Sequence, residues 1–259
     1  MVILERVLQS VGSRKTRRAF IRLLFSLWLA IPGRINYANL ARFSGTSEKT
    51  FRNWFVKPCE FMAVTSRLVT HLQQAERMGT RLVLAIDASF ISKTGDQTPG
   101  LAKYWESKQG KAVKGLEVSW CAVIDVLGHQ AIPLDALQTP SELSEGQSRL
   151  DHYAAQLSQL LNQMPTALNE QIAYVVGEGY YTKKGFIRAV RKAEKHFVGK
   201  LRCDANLTYL YQGNPSGKAG RPKLYDGKVD FKNFAKGQLI STTTDTKKKS
   251  IPSIYTHVV

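Results

Sequence analysis

Arg81-Leu82-Val83-Leu84-Ala85-Ile86-Asp87 is the stretch on which the reading of this chain turns. Five apolar residues without helical spacing, closed by one carboxylate, read as a strand buried on both faces that ends at an acid. Downstream, Leu116 to Val126 is long and rich in β-formers, and Leu127-Gly128-His129 turns the chain into a third strand, Gln130 to Leu137. Leu150, Tyr153, Ala154, Leu157, Leu160, Leu161 and Met164 then recur at helical spacing within Ser144–Met164, with Ser144 and Gln147 as a capping box. A fourth strand, Ile172 to Val176, runs into Gly177-Glu178-Gly179-Tyr180-Tyr181. A helix capped by Thr182 follows, with Phe186, Ile187 and Val190 inward, and His196 to Arg202 is a fifth strand. Three strands, helix, strand, helix, strand predict an α/β fold: a mixed sheet with flanking helices.

Upstream, about the first 75 residues read as helical. The basic stretch Arg14-Lys15-Thr16-Arg17-Arg18 leads into the apolar run Ala19 to Ile31. Arg22 interrupts that run and Pro32-Gly33 ends it short of the ~20 apolar residues a membrane span requires. No small-residue cleavage site follows it, so it does not read as a signal peptide either. Ile35 to Phe43, the turn Ser44-Gly45-Thr46-Ser47 and Glu48 to Phe55 form a helix-turn-helix-like pattern. Ala41 stands where the helices cross, Gly45 in the turn, Phe51 as apolar anchor and Ser47 as cap. Lys49, Arg52 and Asn53, with Glu48, make the polar face suited to a DNA major groove; a plain αα-hairpin with a capped second helix is the other reading. Beyond Asp204 the chain is polar and Gly- and Lys-rich, with an exposed basic loop over Gly213–Lys223 and weak β-like pieces near Gly237–Thr242 and Ser250–Val259. The expected divisions are a helical DNA-binding region over 1–78, a sheet-bearing core over 79–205, and a basic loop with partial β structure over 206–259.

Charge points to the partner. Lys and Arg number 37 against 20 Asp and Glu, giving +17 and a pI near 9.9. Such an excess favours polyanions, nucleic acid foremost, although charge alone supports only non-specific binding. From Thr182 to Asn233 there are 13 Lys and Arg against 4 acids. Lys183, Lys184, Arg188, Arg191 and Lys192 cluster on the exposed part of the helix after Glu178 and form a candidate phosphate-binding face. Cys59, Cys121 and Cys203 are far apart and form no C-x-x-C pair, which indicates reduced thiols in a cytosolic compartment and no zinc module. No internal repeat, dinucleotide loop or Walker loop occurs.

Two acids carry the candidate chemistry. Asp87 closes one buried strand and Glu178 lies just past another, 91 positions later. Strand ends of an open sheet converge, so distant carboxylates can share one site, and hard oxygen ligands so placed suit Mg2+. The alternative is that Asp87 satisfies a turn and Glu178 is an exposed loop charge. Trp105, Tyr180 and Tyr181 are available either to stack on an unpaired base or to pack.

The flanking residues add a family. Ile86-Asp87-Ala88-Ser89-Phe90-Ile91-Ser92-Lys93-Thr94-Gly95 resembles the first catalytic segment of bacterial insertion-sequence DDE transposases of the IS4/IS701-like group. Val175-Val176-Gly177-Glu178-Gly179-Tyr180-Tyr181-Thr182-Lys183-Lys184 is similar to the second, usually written with Asp-Gly-Tyr-Tyr. Gly100 to Trp105, Lys114 to Glu117, Leu201 to Leu207 and Gly220 to Lys228 also look familial, so the resemblance covers roughly residues 35 to 259. It implies an RNase H-like core with an Asp-Asp-Glu triad and two Mg2+ (or Mn2+) ions, with Asp87 as first acid and Glu178 as second. It further implies double-stranded DNA partners (terminal inverted repeats and target DNA), no membrane, action in the bacterial cytoplasm, and leaves open assembly as a homodimer. Glu178 stands where the family carries Asp, one methylene longer. The family's third acid sits on a helix after a β-rich insertion; no Tyr-x-x-Arg-x-x-x-Glu pattern follows Glu178, so the chain reads as C-terminally truncated and no third ligand is assigned. Asp226, Asp230 and Asp245 read as ordinary loop charges. Besides transposase chemistry, the sequence allows a non-catalytic DNA-binding remnant that blocks transposition, or a general RNase H-like nuclease.

Overall fold

The structure, a computed structural model, describes residues 2–12, 14–106, 108–201, 206–214, 220–229, 243–245 and 248–251. These fall into two compact units, Met1–Lys200 and Leu201–Val259.

In the first unit the deciding stretch is a strand, β1 (Leu82–Ser92), which runs past Asp87 instead of ending there. The reason is pairing: β3 (Lys111–Asp125) lies antiparallel to β1 over its whole length, from Leu82 opposite Asp125 to Ser92 opposite Gly115. A strand that the sequence reading did not single out, β2 (Ala102–Glu106), pairs with the first residues of β3, and β4 (Gln130–Gln138) pairs with the remainder along the same edge. On the other side β1 is joined in parallel by β5 (Ile172–Gly177), and β5 in parallel by β6 (His196–Gly199), which stops three residues before the expected Arg202; Arg202 itself lies outside the described residues. The order β4-β3-β1-β5-β6, three antiparallel strands followed by two parallel ones, is the RNase H-like arrangement.

Alternation decides which face carries the core. Leu82, Leu84 and Ile86 of β1, with Cys121 and Val123 of β3, point one way and are buried beneath three helices, α5 (Phe61–Gln74), α6 (Arg149–Gln163) and α8 (Lys184–Lys192). Cys121 sits deep enough in this layer that burial pushes its thiol up to about 12. A short helix, α7 (Thr166–Gln171), contributes Leu168. Among the described residues no helix covers the opposite face, where Trp120, Tyr174 and Val198 are about half exposed.

Two caps differ from expectation. Helix α6 starts at Arg149, capped by Ser148 and not Ser144: Ser148 Oγ accepts from the Asp151 backbone N–H while Asp151 Oδ2 accepts from the Ser148 backbone N–H. Reciprocal satisfaction of two end donors outcompetes Ser144, whose carbonyl serves a turn to Gln147. Thr182 likewise does not cap α8; its hydroxyl donates to the Gly179 carbonyl, closing the 3-10 turn Gly179–Tyr181, and Lys183 takes the cap position without a side-chain bond.

The N-terminal helices are α1 (Val2–Ser10), α2 (Lys15–Ala30), α3 (Tyr37–Ser44) and α4 (Glu48–Phe55). Leu24, Leu27 and Ile31 on or next to α2 bury against Leu40 of α3 and a fully buried Phe51 of α4, giving the trio α2, α3 and α4 its own small core. Gly45 adopts φ 67°, the left-handed C-cap that lets α3 turn sharply, and Ser47 accepts from the Thr50 N–H to start α4. Among the described residues no helix is long and apolar enough to cross a membrane.

In the second unit β7 (Thr208–Leu210) pairs antiparallel with β8 (Tyr225–Lys228), and β9 (Thr243–Asp245) with β10 (Lys248–Ile251). The β piece expected near Gly237–Thr242 lies outside the described residues, as do Cys203, Asp230, most of Ser250–Val259 and residues 215–219 of the basic loop.

Candidate carboxylate site

The last paired residues of β1 and β5 are Ile86 and Gly177. One step further along each strand stand Asp87 and Glu178. Glu178 keeps extended backbone (φ −71°, ψ 176°), so the alternation continues through it. Ile86 and Gly177 face the core side; Asp87 and Glu178 therefore both project onto the open face, on adjacent strands about 4.8 Å apart. The parallel register thus brings together two acids separated by 91 positions in the chain. Asp87 is mid-strand, held by β3 beyond the point where β5 stops, and Glu178 begins the turn into the 3-10 segment.

The electrostatics agree with that proximity. Partial desolvation by the surrounding sheet raises the Asp87 carboxyl above the ordinary aspartate range; the Ala88 backbone N–H pulls it down, and the like charge of Glu178 pushes it up again. A site where two carboxylates crowd one another favours a bound cation. The donor chemistry fits a hard divalent ion, which takes carboxylate oxygens from one or two acids and keeps water on its other positions. Among the described residues no cluster of three or more His, Cys, Asp or Glu forms around a common point. The site is an open sheet surface; a basin of about 790 Å3 lies elsewhere, along α1 and α2 beside Arg6 and Arg22, and holds no such carboxylate pair.

Around the pair, the 3-10 turn buries Tyr181 and leaves Tyr180 about half exposed. Lys183 Nζ sits 4.9 Å from the Tyr180 ring centroid. Lys183 and Lys184 stand at the end of α8 that adjoins Glu178; Arg188 follows one turn on, and Arg191 and Lys192 reach the far end, about 12 Å along the helix. All five are exposed, while Phe186 and Val190 anchor the opposite side of α8. Lys49, Arg52 and Asn53 are exposed on α4. Arg52 is already engaged, with its guanidinium 4.6 Å over the Tyr37 ring and 3.4 Å from Glu48, which holds it in a defined orientation on that face. Trp105 is exposed, but its β3 partner is Ala112, eight residues or about 26 Å along β3 from the residue that pairs with Asp87.

Two residues near the pair escaped the sequence reading. Trp120 is the β3 partner of Asp87 and lies on the same open face. Its alternation with Val118 and Ala122 was visible, but its position beside Asp87 depends on a register that the sequence does not state. Glu117 is buried on the core side, accepting from the Tyr153 hydroxyl beneath α6. Burial and that bond hold the Tyr153 phenol well above its usual range.

An RNase H-like sheet with two carboxylates side by side on its first and fourth core strands defines a class, that of the DDE-type endonucleases. The chain belongs to the family described as DDE superfamily endonuclease, whose pattern matches residues 6–252. Among solved structures it is similar to the Mos1 mariner paired-end complex with Mn, at 12% identity over 64% of this chain and 59% of that one, with a TM-score of 0.28. It is also similar to the Mos1 strand transfer complex, at 11% identity over 70% of this chain and 57% of that one, with a TM-score of 0.27. The chain thus spans less than two thirds of the length of the proteins in these structures. No curated protein matches it.

Proposed function

We propose that this chain is a DDE transposase of the insertion-sequence type, which cuts transposon-end DNA and joins the freed end to target DNA. The observation that carries this reading is the parallel register that sets Asp87 beside Glu178 on an open sheet face. Asp87 and Glu178 would hold Mg2+ or Mn2+. When bound, two such ions sharpen an attacking oxygen and steady the leaving oxygen of an in-line phosphodiester displacement. The chain's own contribution is placement. The two acids fix the cation against one strand, Lys183 and Lys184 meet the flanking phosphates, and Arg188, Arg191 and Lys192 extend that basic track along α8. Lys49, Arg52 and Asn53 on α4 would read the transposon end through the major groove, with residues 1–78 as the DNA-binding region and 79–205 as the catalytic core.

A second reading, a DNA-binding protein that occupies transposon ends without cutting them, is favoured by one observation: no third acid joins the pair among the described residues. One experiment separates the two. DNA carrying the inverted repeats that flank the gene is incubated with the protein and Mn2+ and assayed for nicks and for binding. Nicking that Asp87→Ala abolishes supports the transposase. Binding without nicking, indifferent to Asp87→Ala, supports the second reading. Equal cutting of DNA lacking the repeats would indicate a general nuclease, and failure both to bind and to cut would overturn all three.

A further inference from the structure

Trp120 occupies an unusual place for a large aromatic residue. It lies on β3, which is flanked on both sides, so it is not at the edge of the sheet. Yet it is 42% exposed, and among the described residues its side chain makes no hydrogen bond, ring contact or ion pair. Its register partner is Asp87, and the next strand over brings Glu178. Residues that share its face nearby are Val118 and Ala122 on its own strand, Ala85 and Ser89 on β1, and Ala136 and Gln138 on β4, none of them aromatic. The indole is the largest side chain among them and keeps about two fifths of its surface exposed. Trp120 and Asp87 are directly opposed in an antiparallel pair, with Cα atoms about 5 Å apart, so their side chains leave the same face as neighbours, and Glu178 lies one strand spacing beyond.

Resting on the reading above, we propose that Trp120 is a stacking platform for an unpaired base of the DNA strand whose phosphate meets Asp87 and Glu178. A base that leaves the stack loses its neighbours' π-faces, and a protein surface that holds it must replace them. An exposed indole beside the phosphate site supplies one without sequence preference, because every base has a π-face. The net charge of +17 draws the strand in, and the ring holds the base.

The test uses the full chain and needs no cleavage. Affinity is measured for a fifteen-nucleotide oligothymidylate and for an oligomer of the same length and charge built from abasic residues. Wild type should prefer the thymidylate, Trp120→Ala should lose about 10-fold in affinity for it while binding the abasic oligomer as wild type does, and Trp120→Phe should keep most of the preference. A 2-aminopurine in the oligomer should be quenched by wild type and not by Trp120→Ala. The proposal is overturned if wild type binds both oligomers equally or neither. It is also overturned if Trp120→Ala leaves both affinities unchanged, as it would if another chain segment or a second copy covered this face, or lowers both alike. Base stacking through Trp120 in a chain that never nicks DNA would keep this inference and remove the transposase reading.

Discussion

Asp87 carries a cost as well as its proposed role. Its folded-state carboxyl is raised by desolvation first, with Glu178 adding to the rise. An acid with a raised folded pKa binds protons more readily in the native state than in the unfolded one. Ionisation therefore weakens the fold as pH climbs from the ordinary aspartate value of 3.8 through the raised one, and the penalty is complete above that window. Asp87→Asn should accordingly melt slightly higher than wild type at pH 7, a small gain because water screens this exposed carboxylate. The gain should fade as the pH is brought below the aspartate range, as thermal melts across a pH series would show. Mn2+ should raise the midpoint of wild type and leave that of Asp87→Asn unmoved, because only a species that binds the native state shifts the equilibrium. Glu178→Gln removes one contribution and leaves the larger one. The Asp87 carboxyl should fall part of the way toward the ordinary range, read by carboxyl-carbon NMR titration.

At the scale of elements, ends and registers matter more than helix content. The capping box at Ser148 and Asp151 ties down the start of α6, whose buried face supplies Tyr153, Leu157, Leu160 and Leu161 to the core. Ser148→Ala should cost about 1 kcal/mol and lower the melting temperature, whereas Ser144→Ala should change it little, because Ser144 lies in the turn before the helix. Gly45 plays the corresponding part between α3 and α4. At φ 67° any other common residue is strained, and Gly45→Ala should destabilise the helical trio by about 1 kcal/mol and weaken DNA binding with it, by gel shift. These elements were largely legible in the sequence: α4 begins and ends where its cap and anchor predicted, and the strands fell near their expected places. The legible signals were local, namely apolar alternation, helical spacing and a turn glycine. The misassigned caps show the limit of such signals, since two nearby serines each satisfy the same short pattern and only the full hydrogen-bond arrangement separates them.

For the whole molecule, the proposed function makes charge the term that would govern how the chain meets DNA. If Lys183, Lys184, Arg188, Arg191 and Lys192 each neutralise a phosphate, replacing all five by Gln should flatten the slope of log affinity against log salt by about 4 to 5. The same replacement should leave the melting temperature nearly unchanged, because all five lie outside the core. A slope that does not move would place the DNA track elsewhere on the molecule.

The sequence by itself determined the class of fold, the order of the strands and helices apart from β2, and the basic character, because each of these is written in composition or in short-range periodicity; Asp87 and Glu178 were singled out by the family resemblance of their flanking residues. Tertiary structure decided that Asp87 lies mid-strand, that the acids meet side by side on an uncovered face, and that Trp120 stands beside them. Those facts depend on which strands pair and in what register. Pairing is set by burial across residues far apart in the chain, and a shift of one residue would send every one of these side chains to the other face.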